Sequence, residues 1–379
     1  MKITGAVLEA IGSPAPWAGS RPITVLELEL EAPGPHELLV RIEAAGVCHS
    51  DLSVVNGTRP REVPLLLGHE AAGIVEAAGG DVEGVAVGDR VALTFMPRCG
   101  VCASCANGGR TPCEPGAVAN REGRLLDGHH RIRAGERVID HHLGVSGFAS
   151  YAVVDHRSAV VVGDDVPATV AAVMSCAVLT GGGAVINAAH VQPGETVAVV
   201  GLGGVGLAAL LVARSIPDVT VIAVDALADK LSRARELGAS AAYTPADAVA
   251  RGVRARAVIE AVGRATALEA AIALTAPGGT TVTVGLPAPD ELAAISPLTL
   301  VAEGRSIVGS YLGSSVPSRD IPYFLDLWRA GRLPVEQLMS STIELTQLNE
   351  AMDALASGHQ IRQMIRFPDP THVNAKDPL

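Results

Sequence analysis

Positive charge is scarce in this chain of 379 residues: 29 Lys and Arg stand against 40 Asp and Glu, a formal net charge of −11. Nucleic acids and anionic membrane surfaces both reward Lys and Arg, so neither is expected as a partner. Lysine occurs only as Lys2, Lys230 and Lys376, which reads as codon bias rather than function. No stretch of about 18 uncharged apolar residues is expected to span a membrane as a helix, because the longest apolar run, near Thr196, is broken by glycines. The opening MKITGAVLEAIGSPAPWAGSRP lacks an apolar core behind a basic head, so no signal peptide is expected and the cytoplasm is the expected compartment. No repeat with a period of about 20–50 residues is present. What remains, 48% hydrophobic and 18% charged residues, suffices for a full core and argues against disorder. At about 150 residues per domain, the length calls for two or three domains.

Residues 1 to about 177 read as short β-rich runs punctuated by Gly and Pro, among them ITVLELEL (23–30), ELLVRIEAAGV (37–47), AAGIVEAAG (71–79) and GDRVAL (88–93). Near Val178 the texture changes. From there to about Tyr311, β-branched runs alternate with Ala-rich helical runs, the pattern of βαβ units on a parallel sheet. TVAVVG (196–201), VTVIAVD (219–225), RAVIEAVG (256–263) and TTVTVGL (280–286) are the expected strands. Beyond Gly313, amphipathic helices are expected near 322–330 and 345–357, then a strand at IRQMIRF (361–367) and a loose tail, PDPTHVNAKDPL. The expected fold is therefore α/β: a β-rich domain, an inserted doubly wound parallel-sheet domain, and a return to the first. The cleft between two such domains is a favoured ligand site.

GLGGVG (201–206) follows the strand TVAVVG and opens the helical run LAALLVARS. In that setting Gly201 makes the tight turn, Gly203 lets a pyrophosphate approach the backbone, and Gly206 permits close helix–sheet packing. The phosphates would meet the free N–H groups of the helix N-terminus. Asp225 ends the next strand 19 residues after Gly206, where an acid grips the adenosine ribose hydroxyls and repels a 2′-phosphate. NAD is expected over NADP. A glycine-rich loop with no dinucleotide is the plainer alternative, but strand, helix and acid together favour the nucleotide.

Six cysteines divide into two sets. Cys99, Cys102, Cys105 and Cys113 have the spacing C-x2-C-x2-C-x7-C, and four thiolates satisfy tetrahedral zinc without an open position. This set reads as structural; disulfides are the alternative, disfavoured by compartment and spacing. Cys48, in GVCHSD, and Cys176 stand apart, with His69, in GHEAAG, between them. Two thiolates and one imidazole would make a three-ligand zinc site open to water or substrate. Spacing alone does not assemble these three, and a His in an apolar stretch is equally read as packed.

GVCHSD, GHEAAGIVE, VGDRVAL, the four-cysteine run, CAVLTGGGAVINAAHVQPGETVAVVGLGGVGL (176–207) and SGHQIRQMIRF (357–367), in this order and spacing, resemble the zinc-dependent medium-chain alcohol dehydrogenases from Gly5 to about Phe367. The stretch from Cys113 to Phe148 is similar to the branch with liver-type and glutathione-dependent formaldehyde dehydrogenase members. The resemblance implies a GroES-like catalytic domain over 1–177, with a structural zinc lobe at 95–115, a Rossmann NAD-binding domain over 178–311, and a return to the catalytic domain over 312–379. It implies NAD and two zinc ions per chain, one on Cys48, His69 and Cys176 and one on the four-cysteine lobe. Glu70 would lie behind the first ion and Asp51 would orient His69. Ser50 would touch the substrate oxygen and take the first proton. His49 and Arg362 would face the pyrophosphate, Lys230 the adenosine ribose, and Thr180, Gly204 and Val205 would complete the cofactor contacts. Phe95, His142 and Leu143 would line the substrate pocket. A homodimer or homotetramer is implied.

Three departures from that pattern stand out. Ser53 stands where many relatives end the proton path with a His, so His49 or water is expected to take over. Arg59 and Arg61 stand where glutathione-dependent members carry acids, and EPGA (114–117) lacks their Arg. His142 replaces an aromatic or apolar residue. The leading reading is an NAD-dependent zinc alcohol dehydrogenase for primary, including aromatic, alcohols and their aldehydes. The alternatives are a formaldehyde dehydrogenase acting on the adduct of another low-molecular-weight thiol, and a non-catalytic dinucleotide-binding protein, which would not need Ser50 and all three ligands. His129, His130, His141 and His142 read as a solvated face without a metal role.

Overall fold

The structure, a computed structural model, describes residues 1–368; most of the expected loose tail, Lys376 included, lies outside the described residues. Three sheets organise the chain. The first is a closed barrel of Lys2–Leu8, Ile23–Leu30, Ile132–Ala134, Arg137–His141 and Leu65–Leu66. The alternation of ITVLELEL builds it: Leu28 and Leu30 turn into the barrel core while Glu27 and Glu29 face water. The second is seven-stranded, in the order Ala159–Val162, Arg90–Leu93, Ala71–Ala78, Glu37–Val47, Gln363–Arg366, Ser341–Ile343, with Tyr151–Asp155 also pairing with Glu37–Val47. Its last strands come from the far end of the chain. The register sets Gln363 opposite Val47, which carries Arg362 to the doorstep of Cys48.

The third sheet has six parallel strands in the order Ala241–Tyr243, Thr220–Val224, Thr196–Val200, Ala255–Glu260, Thr275–Thr283, Ser306–Gly309. Strands covered on both faces carry continuous apolar runs, as Val197 to Val200 do, all buried. The order reverses between Thr196–Val200 and Ala255–Glu260. A crevice at such a switch point is where doubly wound sheets take ligands.

One helical segment joins the two halves. Ala168–Ala188 is a continuous 21-residue helix of mean hydropathy 1.8, long and apolar enough to cross a membrane, but 89% of its apolar window is buried inside the protein. The expected domain break at 177/178 falls inside it. Gly181, Gly182 and Gly183, which look like breakers, are points of close approach. A Cβ on them would lie 2.1 Å from the Val205 carbonyl oxygen, 2.7 Å from the Phe324 ring and 2.2 Å from Ser315 Oγ. The bare backbone lets the glycine-loop helix, Gly204–Ser215, and the helix Pro317–Arg329 pack directly on this segment. That last helix starts five residues before the expected 322. Pro317 takes the first turn, where a missing N–H costs nothing, and Pro322 is held inside by the buried face of Ile321, Phe324 and Leu325. His141 and His142, expected on a solvated face, are buried, at 1% and 2% exposure.

Candidate active site and metal centres

A cleft of about 520 Å³ runs between the domains, from Cys48, Ser50, Phe95 and Cys176 at one end to the glycine loop, Asp225 and Lys230 at the other. Cys48 caps the helix His49–Val55, and Asp51 in its first turn answers by accepting the Cys48 N–H at 2.9 Å. The other Asp51 oxygen lies 3.1 Å from His69 Nδ1. That bond places the proton on Nδ1 and leaves the Nε2 lone pair facing the thiols, 3.6 Å from Cys176 Sγ. Cys176 sits in a π-helical turn, Met174–Val178, of the long helix, a widening that recurs at functional positions. The donor atoms of Cys48, His69 and Cys176 all lie within 4.8 Å of one another.

The charges around this cage fit a cation. Burial opposes ionisation of Asp51, yet His69 and His142 hold it well below the usual carboxylate range. The two thiols share one charge: each acts on the other so that Cys48 is pushed far down and Cys176 far up. A dication between them would let both ionise. Burial pushes the Glu70 carboxyl up to about 7, and neither of its oxygens has a hydrogen-bond partner. Its nearest cation is Arg362, 3.5 Å away. Gly46 makes this possible, since a Cβ there would lie 2.0 Å from Glu70 Oε1.

Cys99, Cys102, Cys105 and Cys113 also converge within 4.8 Å, and none of the six cysteines forms a disulfide. The Cys99 amide donates to Cys113 Sγ at 3.2 Å and the Cys102 amide to Cys99 Sγ at 3.3 Å. Amide donors from Cys105 and Glu114 pull the Cys102 thiol down to about 6, while burial pushes Cys113 up to about 12. Amides aimed at sulfur and crowded thiols suit four thiolates around one metal ion.

At the other end, Gly201 adopts φ +92° and Gly206 packs so tightly that a Cβ would lie 1.7 Å from the Gly201 carbonyl oxygen. Gly203 alone of this set faces open space, the side from which a ligand reaches the backbone. Asp225 accepts the Leu202 N–H at 2.7 Å and the Leu227 N–H at 3.0 Å, tying the acid to the loop. Arg362 donates to the Val47 carbonyl at 3.0 Å and is held charged, against its burial, by Glu70 and Cys48. A Cβ on Gly204 would meet its guanidinium at 2.6 Å, so the cation lies at the mouth of the loop helix.

Residues 34–164 match the profile of the Alcohol dehydrogenase GroES-like domain, and residues 204–329 that of Zinc-binding dehydrogenase. The chain is 35% identical over 381 residues to Alcohol dehydrogenase B of Mycobacterium tuberculosis, covering 97% of this chain and 99% of that protein. It belongs to the zinc-dependent medium-chain alcohol dehydrogenase family. Among solved structures, an alcohol dehydrogenase zinc-binding domain protein from Burkholderia ambifaria superposes on this dehydrogenase with a TM-score of 0.90 at 34% identity, covering 97% of this chain and all of that one. Benzyl alcohol dehydrogenase from Acinetobacter calcoaceticus does so with a TM-score of 0.89 at 29% identity and the same coverage. The protein is thus an oxidoreductase of GroES-like and Rossmann architecture.

Within this dehydrogenase, the structure brings Cys48, His49, Ser50, Phe95, Cys176, Thr180, Val205, Asp225, Lys230 and Arg362 to one cleft, with Gly201, Gly203 and Gly204. It does not bring His142 and Leu143 there. His142 Nδ1 lies 3.3 Å from Asp51 and 3.2 Å from the Gly68 amide, behind the cage, and Leu143 packs in the core. Leu143 has a left-handed backbone, φ +55°. Tyr311, absent from the sequence reading, lines the cleft, with its ring edge-on to Phe95 at 5.7 Å. The signal available was a lone aromatic just past the last parallel strand.

Proposed function

We propose that this dehydrogenase interconverts primary alcohols, benzylic ones included, and their aldehydes with NAD. The carrying observation is that Cys48 and Cys176, whose sulfurs converge with the buried His69, line the same cleft as the glycine loop. Bound there, zinc would supply Lewis acidity toward an alcohol oxygen and NAD would accept the hydride. The protein's part is alignment and proton handling. Ser50 lines the cleft, as Cys48 does, and would take the first proton. Ser53 donates to the His49 carbonyl at 2.7 Å, so it stabilises the helix turn rather than acting as a terminal base; His49 or water remains as the outlet. The cage, Asp51 and Glu70 hold their positions by burial, Arg362 and Lys230 supply positive charge toward the pyrophosphate end, and burial lowers the His49 pKa and favours its uncharged form.

The name of the Acinetobacter relative supports aromatic alcohols as substrates, and the Phe95 and Tyr311 rings supply an apolar wall for them. Asp225 supports NAD, since a like charge beside a 2′-phosphate costs about 100-fold or more in preference. Purified protein given zinc, NAD and a panel of benzylic, allylic and aliphatic alcohols should produce NADH, with NAD preferred over NADP and the preference narrowed in Asp225→Ser. Silence toward every alcohol, together with turnover of formaldehyde only when a thiol is added, would replace this reading with that of a thiol-adduct dehydrogenase.

Self-association is also proposed. Leu292, Leu298 and Val301 are 87%, 77% and 82% exposed, next to the edge strand Ser306–Gly309 of the parallel sheet. An apolar surface beside an unpaired edge is a site for a second copy. Light scattering should give a dimer or tetramer for the native protein and a smaller species for Leu298→Asp; a native monomer would end the idea.

A further inference from the structure

Positive charge sits at both ends of the cleft, and only one end is explained by a dinucleotide. Lys230 and Arg362 line the cleft together with the glycine loop, and burial, reinforced by their two charges, lowers the His49 pKa. Arg59 lines the same cleft from the opposite side, in the company of Ser53, Phe95 and Tyr311. Its backbone is anchored, the Arg59 N–H donating to the Ser53 carbonyl at 2.8 Å. Its side chain is not: Nε is shielded from solvent and has no hydrogen-bond partner. Arg61 beside it reaches only the Asn120 carbonyl, at 3.4 Å. Among the described residues neither guanidinium forms an ion pair, although most arginines of this acidic chain do.

Two rings lie between the cage and Arg59 on the lining of this cleft. The Phe95 ring stands edge-on to His69 at 5.6 Å, and Tyr311 edge-on to Phe95 at 5.7 Å. Burial raises the Tyr311 pKa, and the positive charges of Arg59 and Arg61 act on the same phenol in the opposite sense. A molecule whose hydroxymethyl group reaches the cage therefore lies along two rings and ends at a cation lacking a counter-ion. Leaving a buried donor unpaired is costly, and a guanidinium fork is matched best by a carboxylate.

We infer that Arg59 determines specificity by binding an anionic group, foremost a carboxylate, at the far end of the substrate from its reacting hydroxymethyl group. This rests on the alcohol-oxidation reading and narrows it to alcohols and aldehydes bearing an acid across an apolar spacer. If the reaction runs on a thiol adduct, the same fork binds the acid of the thiol.

The test compares para-(hydroxymethyl)benzoate with benzyl alcohol on the NAD- and zinc-loaded enzyme. The native protein should favour the acid in kcat/KM by about 10-fold or more, and Arg59→Ala should lower that ratio by about 30-fold. Arg59→Lys, which keeps the charge without the fork, should fall between. Calorimetric titration of the same proteins with terephthalate gives a readout without turnover: binding to the native protein and loss in Arg59→Ala. Formaldehyde with mercaptoacetate against mercaptoethanol separates the sources, since an Arg59-dependent preference for the acidic thiol alone would place the anion on the thiol. If no alcohol is oxidised but terephthalate binding depends on Arg59, the alcohol reading fails and the anion site stands. Equal ratios in native and Arg59→Ala proteins, with unchanged terephthalate binding, overturn it.

Discussion

Cys176→Ala is expected to remove alcohol oxidation while leaving a folded protein that binds one zinc ion instead of two. Cys176 contributes one of three donors within 4.8 Å, and its partners cannot replace it: Cys48 is fixed as a helix cap and His69 by its Asp51 bond. Two donors do not hold zinc in a catalytic geometry that needs three and an open position. Losing the several kcal/mol of charge stabilisation that such an ion supplies lowers kcat/KM by roughly a thousandfold or more. The fold should survive, because Cys176 lies mid-helix, where Ala is the best helix former. Metal analysis and NADH formation on the same preparation check this; native turnover in the variant would mean that the cage is only a packed cluster.

The second large effect concerns the four-cysteine lobe, where Cys113→Ser should cost stability rather than chemistry. Cys113 is buried, and the lobe holds no long helix or strand of its own, only Ala103–Ala106 and Glu114–Arg121. Its shape depends on what joins the sulfurs. It is also tied outward: Arg157 donates to the Cys99 carbonyl at 3.2 Å, and Arg98 to the Ser315 carbonyl at 2.8 Å, so disorder there would reach the return segment. A structural zinc site contributes folding free energy directly, and a loss of a few kcal/mol in a domain of this size lowers the melting temperature by roughly 10 °C. Nucleotide affinity should be retained, since the glycine loop lies in the other domain. An unchanged melting curve with full metal content would show that the lobe does not need its ion.

The glycine loop was legible because its information is local: strand, turn glycines, helix and Asp225 fall within one βαβ stretch, and the structure places each where local geometry requires. The cage was not legible in that way. Cys48, His69 and Cys176 lie on a helix cap, a strand entrance and a π-helical turn, so residue type could suggest the set but not assemble it without the family resemblance. Arg362 reaches the cofactor end because the C-terminal strand returns to pair with Glu37–Val47, a non-local register that periodicity does not encode. His142 misled because its partners, Asp51 and the Gly68 amide, come from distant parts of the chain. Arg59 was visible as a departure, but its role needed the cleft and the absence of a counter-ion among the described residues.

The most direct test of the account follows the hydrogen itself. Benzyl alcohol carrying deuterium on its carbinol carbon should yield reduced NAD one mass unit heavier, with turnover slowed wherever the transfer limits the rate. Reduced cofactor without the label, or no reduced cofactor despite bound zinc and NAD, would contradict a cleft built to join the Cys48, His69 and Cys176 cage to the glycine loop.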